Sequence, residues 1–578
     1  MPLDPSTRSA ALSTLTVRID GQDLPESFQI VAVDVTRALG RVPRAHVVFL
    51  DGDAAAQTFV SSEADELKPG AEIEIHAGYD RRETLIFRGV ITRQRIEAPR
   101  RGDTRLHVEA KHAGFRMALA RRSRLWIEQS EADVMSDIAA GYDIAFEGDA
   151  SRVHPQIVQH QATDWDFVVQ RAEQAGRLLL AHDDGLRLID PESAAAETAS
   201  YVFGETVFAL DLELDAESQF RAVDAGAWNA AEQDAVLGEA TDSAAPAPGD
   251  LSGEDLAAAT EATPKLRHDG ARDQAAVDEW AAAAMLRSRL ARVRGTVTVQ
   301  GDAEPAPGGA VELKGLGARF NGVAFVAGVR HQIGAGDWLT TIQLGLDPRF
   351  HHERFDVSAP GAAGRLPPVR GLQIGKVTAL EGDPAGGDRI EVRLVGTTDG
   401  DAALWARLAP MDAGPNRGFV FRPEIDDEVV LGFLNDDPRD PIVLGALHSS
   451  ANAAPIPGSD DNHVKGYVSR SGMKLVFDDD AVSATLETPK GDKLVLSEDD
   501  GAVKIEDENG NTWTMDRDGI TVESVKDIVL NAPRGDVKIE ALNVGVKAQI
   551  EASVEGSASG KVKAGGQLEI SGALVRIN

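Results

Sequence analysis

The sequence predicts a mainly β protein whose final stretch becomes ordered only when three copies wind together, and three observations lead there. Short runs of alternating apolar and polar residues, cut by glycine, dominate most of the chain. Aromatic residues are only 5% of it, and none follows Trp513. Beyond Gly466, very short apolar clusters recur at close spacing, each too small to bury a face alone.

From the N-terminus, residues 15–19, 72–76 and 105–109 alternate as half-buried strands do, with turns at Gly70, Gly78 and Gly89. Thr163 is placed to cap a helix that has Asp164 and Asp166 in its first turn and stops at Gly176. A strand at 177–181 follows. Residues 232–264 carry eight Asp or Glu, no Lys or Arg and no aromatic side chain. Such a stretch reads as a flexible acidic loop, because it offers little apolar area against its ordering entropy. A helix from about Asp273 to Arg292 has acids early and arginines late, as the helix dipole favours, with Val277, Trp280 and Ala284 on one stripe. Strands return at 295–299 and 323–327, and prolines and glycines between Pro360 and Pro368 mark a boundary. Residues 371–450 then hold five short strands, at 376–377, 389–394, 404–408, 428–433 and 442–445, the size of a small OB-like barrel.

The last region is quasi-repetitive. Residues 474–477 followed by Asp478–Asp480 recur as 493–496 followed by Asp499 and Asp500, from Lys474 to Lys493 an offset of 19. Shorter strands follow at Ile528, Val537, Val544, Ile550, Val562, Leu568 and Val575, with corners at Gly535, Gly545, Gly556, Gly560, Gly565, Gly566 and Gly572. A single-chain β-helix needs wider coils than these. Three intertwined chains need only one short strand per face before a glycine corner, and their closure hides sheet edges. The expectation is a slender triangular prism.

A net charge of −34 repels phosphate backbones and argues against nucleic-acid binding. With no cysteine there are no disulfides or thiolate metal sites. The start, Met1-Pro2-Leu3-Asp4, has no basic stretch leading into an apolar run, and no stretch approaches 18 consecutive apolar residues, so neither a signal peptide nor a membrane-spanning helix is expected. Catalytic patterns fail on inspection. No P-loop is present. His351-His352-Glu353-Arg354 lacks zincin spacing and reads as a solvated loop. Gly556 to Gly560 has Ala558 where a nucleophile elbow needs serine. Residues 507–511 read as a hairpin turn, and Asp478–Asp480 with Asp499 and Asp500 as solvated turns. Trp405, Phe419, Phe421 and Phe433 lack flanking basic runs and are assigned to packing. The expectation is a protein without enzyme activity, cofactor or metal.

Trp405-Ala406-Arg407-Leu408, the run from Phe421 to Phe433, and the run from Asp437 to Gly445 together resemble the barrel signature of the VgrG spike family, with Asp426 where that family often has glycine. Residues 163–167, 287–295 and 317–322 resemble its hub. The resemblance implies a homotrimer with a hub of two barrel-like domains and some helices over 1–365, an OB-fold barrel over 371–450 and an intertwined β-helical needle over 463–578. It implies seating on inner tube and baseplate proteins, a PAAR-type tip protein on Leu574, Val575, Arg576, Ile577 and Asn578, non-covalent effector cargo, and a target-cell membrane punctured on firing. Such a particle would be assembled in the bacterial cytoplasm and can be released. His448-Ser449-Ser450-Ala451 and residues 493–522 resemble spikes of extracellular systems of the Photorhabdus virulence cassette and antifeeding prophage type, and Arg393-Leu394-Val395 lacks the Phe-Pro-Trp run of type VI barrels. The alternatives are a type VI spike, a contractile-phage baseplate spike, a spike with its own enzymatic activity, or a trimeric adhesin. With few residues between barrel and needle, and the last strand at the chain's end, no hydrolase or effector domain is expected.

Overall fold

The computed structural model describes residues 13–183, 185–193, 199–396 and 402–577. Contacts divide the chain into two compact units, one reaching to Arg370 and including Asn435–Pro438, the other holding Gly371–Leu434 and the chain from Arg439 onward.

In the first unit the alternating runs become strands whose inward residues form two cores. Ser13–Ile19 pairs with Glu72–Tyr79, and the sheet continues through Arg82–Glu97, Arg105–Lys111, Arg44–Leu50 and Ile30–Ala38. Val17, Val35, Val47, Phe49, Ile73 and Val108 bury the first core. Ile30–Ala38 also pairs with Gly322–Gly334, which carries the sheet on to Asp337–Leu344, Val293–Gln300 and Val207–Leu214. Tyr201, Val297, Val311, Leu313 and Ile342 bury the second core. Two strand sets, each with its own core, thus share one sheet of 13 strands among the described residues.

The two signalled helices form at Asp164–Gln174 and Gln274–Leu290. Thr163 Oγ1 accepts from the Asp166 amide at 3.1 Å, and Asp273 Oδ1 from the Ala276 amide at 2.8 Å. Gly176 ends the first helix at φ +64°, a conformation that favours glycine.

The segment 232–264 departs from the expected flexible loop. Asp234–Ala240 pairs antiparallel with Val223–Asn229, and Gly253–Ala257 forms a short helix begun by a Ser252–Asp255 capping box. Gly238 lies so close to the long helix that a Cβ there would sit 2.4 Å from Asp278 Oδ1. Cations from outside the segment hold it: Arg289 Nε donates to Asp242 at 2.7 Å and Arg292 Nη2 to the Ala247 carbonyl at 2.6 Å, while Arg319 pairs with Asp250.

In the second unit, Gln373–Ala379, Ile390–Leu394, Leu404–Leu408, Pro441–Ala446 and Glu428–Phe433 close a five-stranded barrel in that order. Val377, Ile390, Val392, Val429, Leu431 and Val443 fill it. The chain then forms a seven-stranded antiparallel meander, Val464–Val468, Lys474–Asp478, Ser483–Glu487, Lys493–Ser497, Ala502–Glu506, Thr512–Asp516 and Gly519–Glu523. The strands between residues 464 and 523 thus pair with their neighbours within one chain. The repeat of 19 residues is one hairpin of a single chain, with Gly472, Gly491 and Gly510 at matching turn positions and φ of +86°, +101° and +89°. Closing such short loops costs little entropy, so each strand pairs with its own neighbour. Residues 525–577 carry no strand pairing within the chain and are exposed throughout.

Candidate functional site

The meander's register sorts its side chains onto two unlike faces, because successive residues of a strand point to opposite sides. Tyr467, Leu475, Leu486, Leu494, Ile505, Trp513 and Val522 stand opposite one another from strand to strand. Two residues along each strand runs a parallel row, Phe477, Ala484, Leu496, Val503, Met515 and Ile520. Both rows share one face. The central row of the reverse face is mixed: Gly466, Val476, Thr485, Val495, Lys504, Thr514 and Thr521. With strands about 4.8 Å apart and about 3.3 Å per residue, the apolar face measures roughly 30 Å by 17 Å.

Among the described residues nothing buries it. Leu496, Ile505 and Trp513 keep 49%, 48% and 48% of their surface open. Beyond Val443 no described residue is buried. The apolar surface continues onto the barrel's long loop, where Phe421 meets Tyr467 edge-on at 5.0 Å and Phe419 at 6.0 Å, beside exposed Met411, Val420 and Ile425. Of the four aromatics picked from the sequence, Phe433 packs on the barrel core and Trp405 is half-buried, whereas Phe419 and Phe421 join this outer patch. Further on, Val537, Ile539, Leu568, Leu574, Val575 and Ile577 are exposed. Leu574, Val575, Arg576 and Ile577 are not drawn into any site, and Asn578 lies outside the described residues.

The residues tested for chemistry serve the fold. His351 is buried, contrary to the expected solvated loop, in the short helix His351–Arg354. Its Nε2 lies 2.8 Å from Asp166 Oδ1 and its amide donates to Glu173 at 2.7 Å, fastening the helix to Asp164–Gln174. The Asp507 carboxylate accepts from the Asn511 side chain at 2.7 Å and the Asn511 and Asn509 amides at 2.8 and 3.0 Å, which holds it down at about 2. Asp478 Oδ1 accepts from the Asp480 amide at 3.0 Å and the Ala481 amide at 3.2 Å, so both acidic stretches are turn locks. Among the described residues, no three His, Asp or Glu side chains gather as metal ligands would.

The family model described as the Alg8 N-terminal domain matches residues 9–335. The chain belongs to the Alg8 N-terminal domain family. In this Alg8-family chain, residues 373–448 match the type VI secretion system/phage-baseplate injector OB domain, the span of the closed barrel. The type VI secretion system spike protein VgrG5 of Pseudomonas aeruginosa is 34% identical over 123 residues, 19% of this chain and 16% of that protein. The chain therefore spans about a sixth of that curated relative's length. Among solved structures, the prophage MuSo2 43 kDa tail protein from Shewanella oneidensis aligns with a TM-score of 0.44 and 12% identity, over 58% of this chain and 98% of that one. A type VI secretion component of E. coli aligns with a TM-score of 0.38 and 15% identity, over 75% and 99%.

Sequence reasoning placed the apolar tail but missed this face. Tyr467, Leu486 and Ile505 went unselected although the 19-residue repeat already spaced their strands.

Proposed function

We propose that the chain is the trimeric central spike and hub of a phage-tail-like contractile injection system, joining baseplate and inner tube to a membrane-puncturing tip. One observation carries this reading: past Val443 no described residue is buried, yet the chain presents a continuous apolar sheet face and then a run of exposed apolar residues. An apolar face of this extent calls for a protein partner. Two further copies supply it. Three meanders turned inward make a triangular shaft whose interior takes two apolar side chains per strand, and residues 525–577 then find their strand partners on the neighbouring chains. The injector-type OB domain and the type VI spike relatives support the same reading.

In this role the chain works by stiffness and not by catalysis. Sheath contraction drives the shaft forward, and the load passes from hub to tip through closed sheets whose backbone hydrogen bonds lie along the shaft. The proposed partners are inner tube and baseplate proteins, a PAAR-type protein on the end formed by 574–578, non-covalent cargo, and the target membrane. Assembly would take place in the bacterial cytoplasm. The sequence features at 393–395, 448–451 and 493–522 favour an extracellular system. A type VI spike is the second reading, favoured by the curated relative. Sedimentation equilibrium of the full chain should give the mass of three chains, and particles lacking 524–578 should assemble but fail to penetrate. A monomer at micromolar concentration would overturn the proposal.

A further inference from the structure

Two turns, one in each unit, carry the same tripeptide within two residues of a proline. The loop 98–104 joins Arg82–Glu97 to Arg105–Lys111, whose last cross-strand pair is Glu97 with Arg105, and it holds Pro99 and then Arg101-Gly102-Asp103. In the second unit Arg534-Gly535-Asp536 follows Pro533 directly. There the Gly535 amide donates to the Ala532 carbonyl at 3.2 Å, closing a four-residue turn with proline in its favoured second place. All six residues of the two tripeptides are exposed. Gly102 has φ +104°, a conformation that favours glycine, and a Cβ on Gly535 would meet no atom within 4 Å. Among the described residues Arg101, Asp103 and Arg534 make no ion pair or side-chain hydrogen bond. Asp536 has only a surface contact of 3.7 Å with Lys538, both side chains being 78% open.

An aspartate in a turn ordinarily locks that turn, as Asp478 and Asp507 do by accepting backbone amides. Asp103 and Asp536 hold no such bond. The Cα atoms of Arg and Asp stand up to about 7 Å apart across the glycine, which has no side chain to keep a partner's surface away. Each turn therefore offers a cation and a carboxylate as two separate charges on a narrow projection. A carboxylate oxygen is a natural ligand for a hard divalent cation, and a guanidinium pairs two-pronged with a carboxylate. We propose that both turns are binding sites for a cell-surface receptor that holds a divalent cation beside an acidic cleft, the chemistry by which integrins take Arg-Gly-Asp ligands. The carboxylate of Asp103 or Asp536 completes the receptor's metal shell, and Arg101 or Arg534 enters the cleft. The inference goes beyond the spike reading and does not depend on it: it gives the chain an attachment to the target cell's surface that is separate from puncture.

The test uses the full chain and surface plasmon resonance on an immobilised ectodomain of a fibronectin-binding integrin, with manganese(II) in the buffer. The unaltered chain should bind, EDTA should release it, and a soluble Gly-Arg-Gly-Asp-Ser peptide should compete. Asp103→Glu and Asp536→Glu keep the charge and move each carboxylate by one methylene. Attachment by charge alone tolerates that shift, whereas a metal ligand does not. The double variant should lose at least about ten-fold in affinity, the loss of one charge-assisted contact or more, and each single variant should lose part of it. Both positions are exposed, so far-UV circular dichroism and the melting temperature should match the unaltered chain in every variant. No binding by the unaltered chain, binding that persists in EDTA, or a double variant that binds as well as the unaltered chain would overturn the proposal. A silent single variant would overturn the assignment of that turn. The spike reading is decided by the three-chain mass, which none of these readouts touches.

Discussion

Replacing Ile505 by alanine tests whether the meander's apolar face is an interface or a solvated surface. Ile505 stands between Leu494 and Trp513 on neighbouring strands and leaves 48% of its surface open in one chain. Burying a whole isoleucine side chain is worth about 1.5–3 kcal/mol, so the half still open is worth roughly 1 kcal/mol per chain and roughly 3 kcal/mol across three. That is about a hundred-fold in the trimer dissociation constant. Lys504 is its control. It sits one residue earlier on the reverse face, where its 3.1 Å contact with Glu506 is a surface ion pair of little worth. Sedimentation equilibrium over a concentration series should therefore show Ile505→Ala dissociating at concentrations where Lys504→Ala remains three-chained. Equal effects from the two substitutions, or none from either, would refute the assignment of the face.

Three other outcomes follow from the same structure. Burial, with a smaller push from Arg37, holds His331 down at about 3, so between that value and its ordinary 6.5 the unfolded chain carries a proton the folded one lacks. Stability is full above about pH 6.5 and falls on acidification, by roughly 2–3 kcal/mol at about pH 4.5, and His331→Gln should flatten that part of the urea-denaturation pH profile. Arg289→Ala removes a buried guanidinium that holds Asp242 and the Thr241 and Phe220 carbonyls; it should cost roughly 2–3 kcal/mol and open 241–250 to limited proteolysis. An acidic residue at Val537, Ile539 or Leu568 should lower the melting temperature of the three-chain species, whereas Lys538→Glu should leave it nearly unchanged; equal melting of all four variants would refute the inward and outward assignment.

Local signals were legible where chain neighbours decide the outcome. Thr163 and Asp273 cap their helices because the partner amides lie three residues on, and the barrel strands alternate over a core drawn from one short stretch. Signals failed where the partner is distant in sequence. The segment 232–264 contains no cation, and its own composition argues for disorder. It is ordered by Arg289, Arg292 and Arg319 and by contact of Gly238 with the long helix. His351 looks like a solvated side chain until Asp166, 185 residues earlier, is placed beside it. The meander is a subtler case. The hairpin turn at 507–511 was readable, and so was the offset of 19, but strands such as Ala502–Glu506 show only two apolar residues on the inward side, so a second strand inside each repeat was passed over.

The two units divide the work of folding differently. Strands of the first unit close over valine, isoleucine and phenylalanine side chains that are almost wholly buried, and the barrel does the same on a smaller scale. Each of these pieces holds its core without help. The meander has satisfied its backbone and not its side chains: its hydrogen bonds are made within one chain, while its apolar face is only half covered. Past Ser524 neither requirement is met within the chain. What one chain satisfies for itself therefore falls along the sequence, from buried side chains and paired strands, to paired strands alone, to neither among the described residues. In the three-chain shaft proposed above, the far end would become rigid only once the chains stand in parallel register.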